Sequence, residues 1–297
     1  MQGEISIQSW KKYRRQIGYT FITPALIVLL SFILYPLLFA FIISFSSYTF
    51  VHPQLDRFVG LKNYTSSFHD KYFWNSLLVT FKFSALVVPL EFCLGLTIAL
   101  FLNREIKFKN IFYAIVIIPL VMSPVAVGLI WRMFLHPELG IANYLLSMIK
   151  LPPVNWLGSP KVAFFTVIMV DIWHQVSFMI LLLLSGLMSL PKEPFEAATV
   201  DGATRIQQFV YITLPLLEPV IAVALLIRTI FAFRTFDLIY VMTRGGPGVS
   251  TDVFSYYIYR ATFMGLNLAE ASALSYILLI IVMVFVMFLF RIIRRAQ

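Results

Sequence analysis

Charge is what this sequence has least of. Lys, Arg, Asp and Glu make up 12% of its 297 residues, against roughly 25% in a soluble globular domain. Hydrophobic residues reach 60% and the mean hydropathy is +0.87, which excludes a water-soluble fold. The single cysteine, Cys93, lies inside an apolar run and rules out an internal disulfide. No GxxxxGK[ST] phosphate loop occurs, so ATP hydrolysis on this chain is not expected. HExxH and GxSxG are missing as well, which removes the usual signatures of an intramembrane hydrolase. Internal repeats and low-complexity linkers are absent to inspection.

What the sequence does have is long apolar runs. Six are long enough to cross a bilayer, over residues 17–45, 76–102, 111–134, 162–187, 216–240 and 271–290. The alternating short segments of an outer-membrane barrel are missing, so the expected fold is an all-α integral membrane protein with six transmembrane helices. The basic "KKYRRQ" at 11–16 resembles the start of a signal peptide, but the apolar run after it is too long for one and reads as a retained first span. The net charge of +9 would suggest nucleic acid in a soluble protein. Here the basic residues border apolar runs, which assigns them to membrane lipid and topology, with no nucleic-acid partner.

Lysine and arginine also set the orientation. Lys11, Lys12, Arg14 and Arg15, then Arg104, Lys107 and Lys109, Lys192 and Arg205, and finally Arg291, Arg294 and Arg295 fall on one side of a six-span chain. That side outweighs the other, so both termini are expected in the cytoplasm: a tail over 1–16, a membrane domain over 17–290, and a tail over 291–297. On the outer side, Tyr144 to Ile149 reads as a short helix lying at the membrane interface.

One stretch breaks the apolar pattern on the cytoplasmic side. In "LPKEPFEAATVDGATRIQQFVYITLP" (190–215), Pro194 suits a helix first turn, and Glu193 and Glu196 complement its dipole. Ala197 and Ala198 leave the backbone approachable, and Asp201-Gly202 signals a turn. A second helix is expected from Ala203 towards Tyr211, with Ile206, Phe209 and Val210 facing the membrane bundle and Pro215 marking the turn into the fifth span. By composition alone this elbow is either a docking lever or an interfacial connector.

Here the residues resemble a known family. Glu196-Ala197-Ala198, Gly202 and Ile212-Thr213-Leu214-Pro215 reproduce the EAA signature of importer-type ABC transporter permeases. The segments 75–104, 140–160 and 236–260, with the Thr243–Gly248 loop, resemble the carbohydrate-importer branch, of maltose or glycerol-phosphate type. Arg244 departs from the small or polar residue usual there. The resemblance implies a type I permease fold in a prokaryotic cell membrane, working with a second homologous permease, a cytoplasmic ATPase dimer that carries ATP and magnesium, and an extracytoplasmic substrate-binding protein. It implies no cofactor on this chain. It makes 191–215 a coupling loop whose Glu196, Ala197, Ala198, Asp201, Gly202, Ala203 and Pro215 dock the ATPase. Gly245, Gly246 and Pro247 become a loop facing the binding protein.

Ionisable residues inside spans are costly and face a cavity or a partner. Lys82 and Glu91 lie in the second run, Asp171 and His174 in the fourth, and Arg228, Arg234 and Asp237 in the fifth. Asp171 shares a helix face with His174 and Gln175, and the i, i+3 spacing of Arg234 and Asp237 predicts the same for them. One reading is a hydrated pathway with Trp173 and Phe231 offering surface to sugar rings. The other is an ion-pair network that locks the bundle, or snorkelling at the span ends. Arg228 and Arg234 also leave room for an anionic cargo such as a sugar phosphate. A stand-alone secondary transporter is the remaining alternative.

Overall fold

The computed structural model describes residues 7–54 and 57–296, with side chains over 13–54 and 57–291. Residues 1–6 of the expected tail, and the side chains of Lys11, Lys12, Arg294 and Arg295, lie outside the described residues. Helices carry the fold. Among the described residues, strand-like pairing is limited to an isolated bridge between Ser46 and Phe58.

Helix α1 (Ile7–Ser44) starts well before residue 17, because nothing in the basic segment interrupts a helix. At 38 residues it is about 57 Å long, far beyond the roughly 30 Å of hydrocarbon. Short α2 (Lys62–His69) precedes α3 (Lys71–Leu102), which Asp70 caps by accepting the Tyr72 amide at 2.9 Å.

The third run is not one straight helix. It divides into α4 (Lys109–Val121) and α5 (Pro124–Phe134), bent by 99° at Met122–Ser123. Pro124 cannot donate to the helix before it and holds Ser123 extended (φ −63°, ψ 137°). Among the described residues, five helices are long and apolar enough to cross a membrane, or six if the bent pair forms one crossing. Between them and the fourth span, α6 (Ile141–Met148) is pinned by Asn143, whose amide donates to the Pro137 and Val154 carbonyls and accepts from Val154 N and Trp156 Nε1.

The fourth span is α7 (Pro160–Met188) and the elbow begins with α8 (Glu193–Val200). After it, α9 (Arg205–Gln208), a π turn (Phe209–Thr213) and α10 (Leu214–Phe233) follow without a break. Pro215 therefore sits in the first turn of α10 instead of marking a corner. Its missing N–H coincides with the local change to π winding. The fifth run breaks at Arg234–Phe236 and resumes as α11 (Asp237–Met242). Arg234 and Asp237 thus flank a break and do not share a helix face. Next come α12 (Phe254–Tyr259), a second π turn (Arg260–Met264) and α13 (Leu268–Ala296).

The chain divides into two compact units. One comprises the chain up to residue 66 together with 261–276. In it the Asn63 amide donates at 2.8 Å to the Ser44 and Ser46 carbonyls, and Tyr276 Oη donates to the Leu37 carbonyl at 2.6 Å. The other comprises 67–260 and 277–297 and holds two apolar clusters, around Phe83, Val87, Val170 and Leu238, and around Ala99, Met179, Leu183 and Leu217. Helices α3 and α7 meet at Gly95, where an added Cβ would lie 2.6 Å from Met179 Cγ. Small residues allow such close approach where hydrophobic association has little to offer.

Candidate functional site

The elbow is held by its own backbone. The Ala203 N–H reaches the Ala198 carbonyl at 2.9 Å and the Gly202 N–H reaches Thr199 at 3.1 Å, the paired bonds of a Schellman ending. They require a left-handed residue, and Gly202 supplies it at φ +78°. Thr204 then opens α9 with a capping box: its hydroxyl accepts the Gln207 amide, and Gln207 Oε1 accepts the Thr204 N–H at 2.7 Å. Gln208 Nε2 ties the second helix back to Thr199 Oγ1 at 3.1 Å.

No residue of α8 is buried, and Val200 is 89% exposed. Glu196, Ala197, Asp201, Gly202 and Pro215 stand open, while Ala198 and Ala203 are half-buried on the inner side. Ile206 (76% exposed) and Val210 also point outward; of the three expected to face the bundle, Phe209 alone packs against the core. Beneath α8 lies a cavity of about 850 Å³ bounded by the ends of α3, α4 and α7, with Asn103, Lys109, Phe195 and Glu196 in its wall.

Deep in the second unit, Glu91 on α3, Arg228 on α10 and Asp171 on α7 form one ionic cluster. Arg228 Nε and Nη2 donate to the two Glu91 oxygens, the second at 2.9 Å, and Nη2 also donates to Asp171 Oδ2. Arg228 is 1% exposed and Glu91 fully buried. A planar guanidinium suits this forked grip, and desolvated charges in an apolar bundle require it.

In front of this cluster is a cavity of about 230 Å³. Asp171, His174, Gln175, Arg228, Phe231, Arg234 and Asp237 all line it, joined by Pro124, Thr235, Phe236 and Leu238. The two helix breaks contribute to this wall. The Met122 carbonyl, freed by the α4–α5 bend, meets His174 Nε2 at 3.2 Å, and Gln175 Nε2 meets His174 Nδ1 at 3.2 Å. A carbonyl only accepts, so in this contact His174 Nε2 carries the hydrogen. At the second break, Ser255 Oγ donates to the Thr235 carbonyl. Backbone irregularity inside a membrane is tolerated where it lines such a cavity. Arg234 and Asp237 are exposed and, among the described residues, form no ion pair. Trp173 lies outside the lining, edge-on to Trp131 with centroids 5.5 Å apart.

The Thr243–Asp252 loop is cross-braced. Thr243 Oγ1 and Thr251 Oγ1 are 2.7 Å apart, Thr251 Oγ1 donates to the Gly246 carbonyl at 2.8 Å, and Asn75 Nδ2 donates to Val249 O at 3.0 Å. Gly245 (φ +79°) is buried against Tyr256, and Gly246 and Pro247 are half-buried; the exposed points are Arg244 and Gly248. Asp252 pairs with Arg260, which also faces the rings of Tyr72, Tyr256 and Tyr257 at 5.5–6.0 Å. Burial pushes the Asp252 carboxyl up to about 6 despite Arg260, since its Oδ1 has no hydrogen-bond partner.

Sequence reasoning did not pair Glu91 with Arg228. The signal was available: three charges near the middles of three apolar runs, two acidic and one basic, must satisfy one another. The roles of Thr235, Phe236 and Asp252 carried no comparable signal.

Comparison with known proteins places these features in context. Residues 91–296 match the family described as "Binding-protein-dependent transport system inner membrane component". The chain is 41% identical over 282 residues to the trehalose/maltose transport system permease protein MalF of Thermococcus litoralis, covering 94% of this chain and 95% of that one. Among solved structures it resembles a chain of a bacterial ABC transporter involved in the import of the acidic polysaccharide alginate (TM-score 0.86, 28% identity, 98% and 99% covered). A chain of the bacterial alginate transporter in complex with an alginate pentasaccharide-bound periplasmic protein is similarly close (TM-score 0.85, 29% identity, 97% of each covered).

Proposed function

This chain belongs to the binding-protein-dependent transport system inner membrane components, and as a non-catalytic ABC transporter permease of type I fold we propose that it carries a neutral saccharide into the cytoplasm. The cargo is handed over by an external binding protein. It passes by alternating access between this chain and a homologous permease, while an ATPase pair docked on α8 supplies the closing force.

One observation carries the choice of cargo: the Arg228 charge is already spent. Two carboxylates hold it, Glu91 and Asp171, so it offers no net positive field to an anion. What remains open to the cavity is a mixed set suited to hydroxyl groups: Asp237 and Thr235 accept, Arg234 donates, Gln175 does both, and Phe231 and Phe236 supply apolar faces. An anionic sugar is the second reading, favoured by the exposed and unpaired Arg234.

Reconstitution of the chain with its partner permease, ATPase pair and binding protein in vesicles tests both. ATP-dependent uptake of labelled maltose, but not of glucose 6-phosphate, is the expected result. Uptake of the phosphate alone reverses the choice of cargo, and ion-driven uptake without the ATPase defeats the mechanism.

A further inference from the structure

Next to the cavity stands a group of rings of which the pathway reading uses only Phe236. Phe236, a cavity wall residue, lies 5.5 Å from Tyr240 at 23° and 5.2 Å from Tyr259. Tyr240 and Tyr259 are 5.2 Å apart, edge to face at 69°. Tyr256 is buried beneath them, stacked on Phe236 and on Tyr259 at interplanar angles of 25° and 23°. The three outer rings are only half-buried, each with one side on the apolar core. Arg244 stands exposed at the start of the braced loop.

A core cluster built only for packing would bury its polar ends deeper than this. Here three rings on a fixed base stand half-buried beside polar groups, at interplanar angles of 23°, 46° and 69° to one another. The adjoining cavity, at about 230 Å³, is smaller than the roughly 300–1,000 Å³ of ordinary small-molecule sites. A cargo of several sugar units therefore extends past the cavity wall, and the wall continues as aromatic surface. Sugar rings have an apolar C–H face that packs on such aromatic rings.

From this we infer that Phe236, Tyr240 and Tyr259 form a second saccharide subsite, which holds the next unit of an oligosaccharide whose first unit occupies the cavity. The inference rests on the saccharide reading above and extends it from a single sugar to a chain.

The test uses the complete importer in vesicles and a ladder of maltose, maltotriose and maltotetraose. Tyr240→Leu and Tyr259→Leu keep side-chain bulk but remove the flat face. Each is expected to lower kcat/KM for maltotetraose relative to maltose by about fivefold, mainly through KM. Tyr240→Phe keeps the face, and its ratio is expected to stay within about twofold of the parent. Equal losses for maltose and maltotetraose in the leucine variants overturn the subsite, as does a phenylalanine variant that behaves like leucine. A parent importer that moves none of the three sugars instead overturns the saccharide reading, and the subsite with it.

Discussion

Arg228 grips both oxygens of Glu91 across 137 positions of sequence, where neither group meets water. With Asp171 on the remaining side, the guanidinium fastens α3, α7 and α10 to one another. The same contact closes off the charge that a passing anion would seek.

Removing the guanidinium leaves two carboxylates in an apolar interior, and breaking such a cluster costs about 3–5 kcal/mol. Arg228→Ala is therefore expected to cut the amount of assembled complex sharply, as read by size-exclusion yield and thermal midpoint. Adding Glu91→Gln to it should recover part of the loss. Wild-type assembly with transport alone abolished would make the cluster part of the pathway and not a strut.

Among the described residues, Arg234 and Asp237 make no ion pair that a substitution would break. Arg234→Gln and Asp237→Asn should leave complex yield unchanged while raising KM for uptake severalfold, about 1 kcal/mol per lost hydrogen bond. Unaltered transport kinetics in both variants would remove these side chains from the cargo path.

At the elbow, the space around Gly202 is open, so a side chain there meets strain and no clash. Gly202→Val is expected to cost about 1 kcal/mol or more in the turn and to weaken ATPase co-purification, with the protein still inserted. Ala197→Arg places bulk on the exposed face and should act on docking more directly than a change at half-buried Ala198. Normal co-purification and stimulated ATP hydrolysis in both variants would falsify the docking role.

Asp252 gives a pH signature. Its folded-state carboxyl, at about 6, lies above the ordinary value of 3.8, so the folded protein holds an extra proton between those values. Its contribution to stability is complete below about pH 4 and is lost as the pH rises through 6. The difference in thermal midpoint between the parent and Asp252→Asn should therefore slope between pH 4 and 6 and level off above. A flat difference across that range counts against it.

Reporter fusions check the orientation. One after Gln297 or within 104–109 should read cytoplasm, and one within 247–252 the outside. The opposite result at either loop reverses the assignment of the elbow to the ATPase side.

Much of this was legible in the residues themselves. Length and hydropathy located the runs, and Asp201-Gly202 located the turn, because each is a local property. One rule, that ionisable groups inside apolar runs must face something, pointed to Asp171, His174, Arg228, Arg234 and Asp237 in the cavity wall, though it also named Lys82 and Glu91, which do not line it. The sequence did not reveal where runs break. Pro124 interrupts its run at a right angle, yet Pro89 and Pro219 sit inside continuous helices. The difference lies in tertiary partners such as His174, which accommodates the carbonyl left at Met122. Spacing likewise misjudged Arg234 and Asp237, since i, i+3 means adjacency only while the helix persists.

The unbroken passage from α9 through the π turn into α10 has a mechanical meaning. From Arg205 to Phe233 it forms a rod of roughly 40 Å, at 1.5 Å per residue. One end is the exposed elbow and the other is the wall of the cavity, where the helix gives way at Arg234. A twist applied at the first end reaches Phe231 undiminished unless the rod itself yields. Its weakest winding is the wide turn at Phe209–Thr213, beside the proline. If the ATPase pair drives the elbow as proposed, compliance at those five residues limits how much of the stroke arrives.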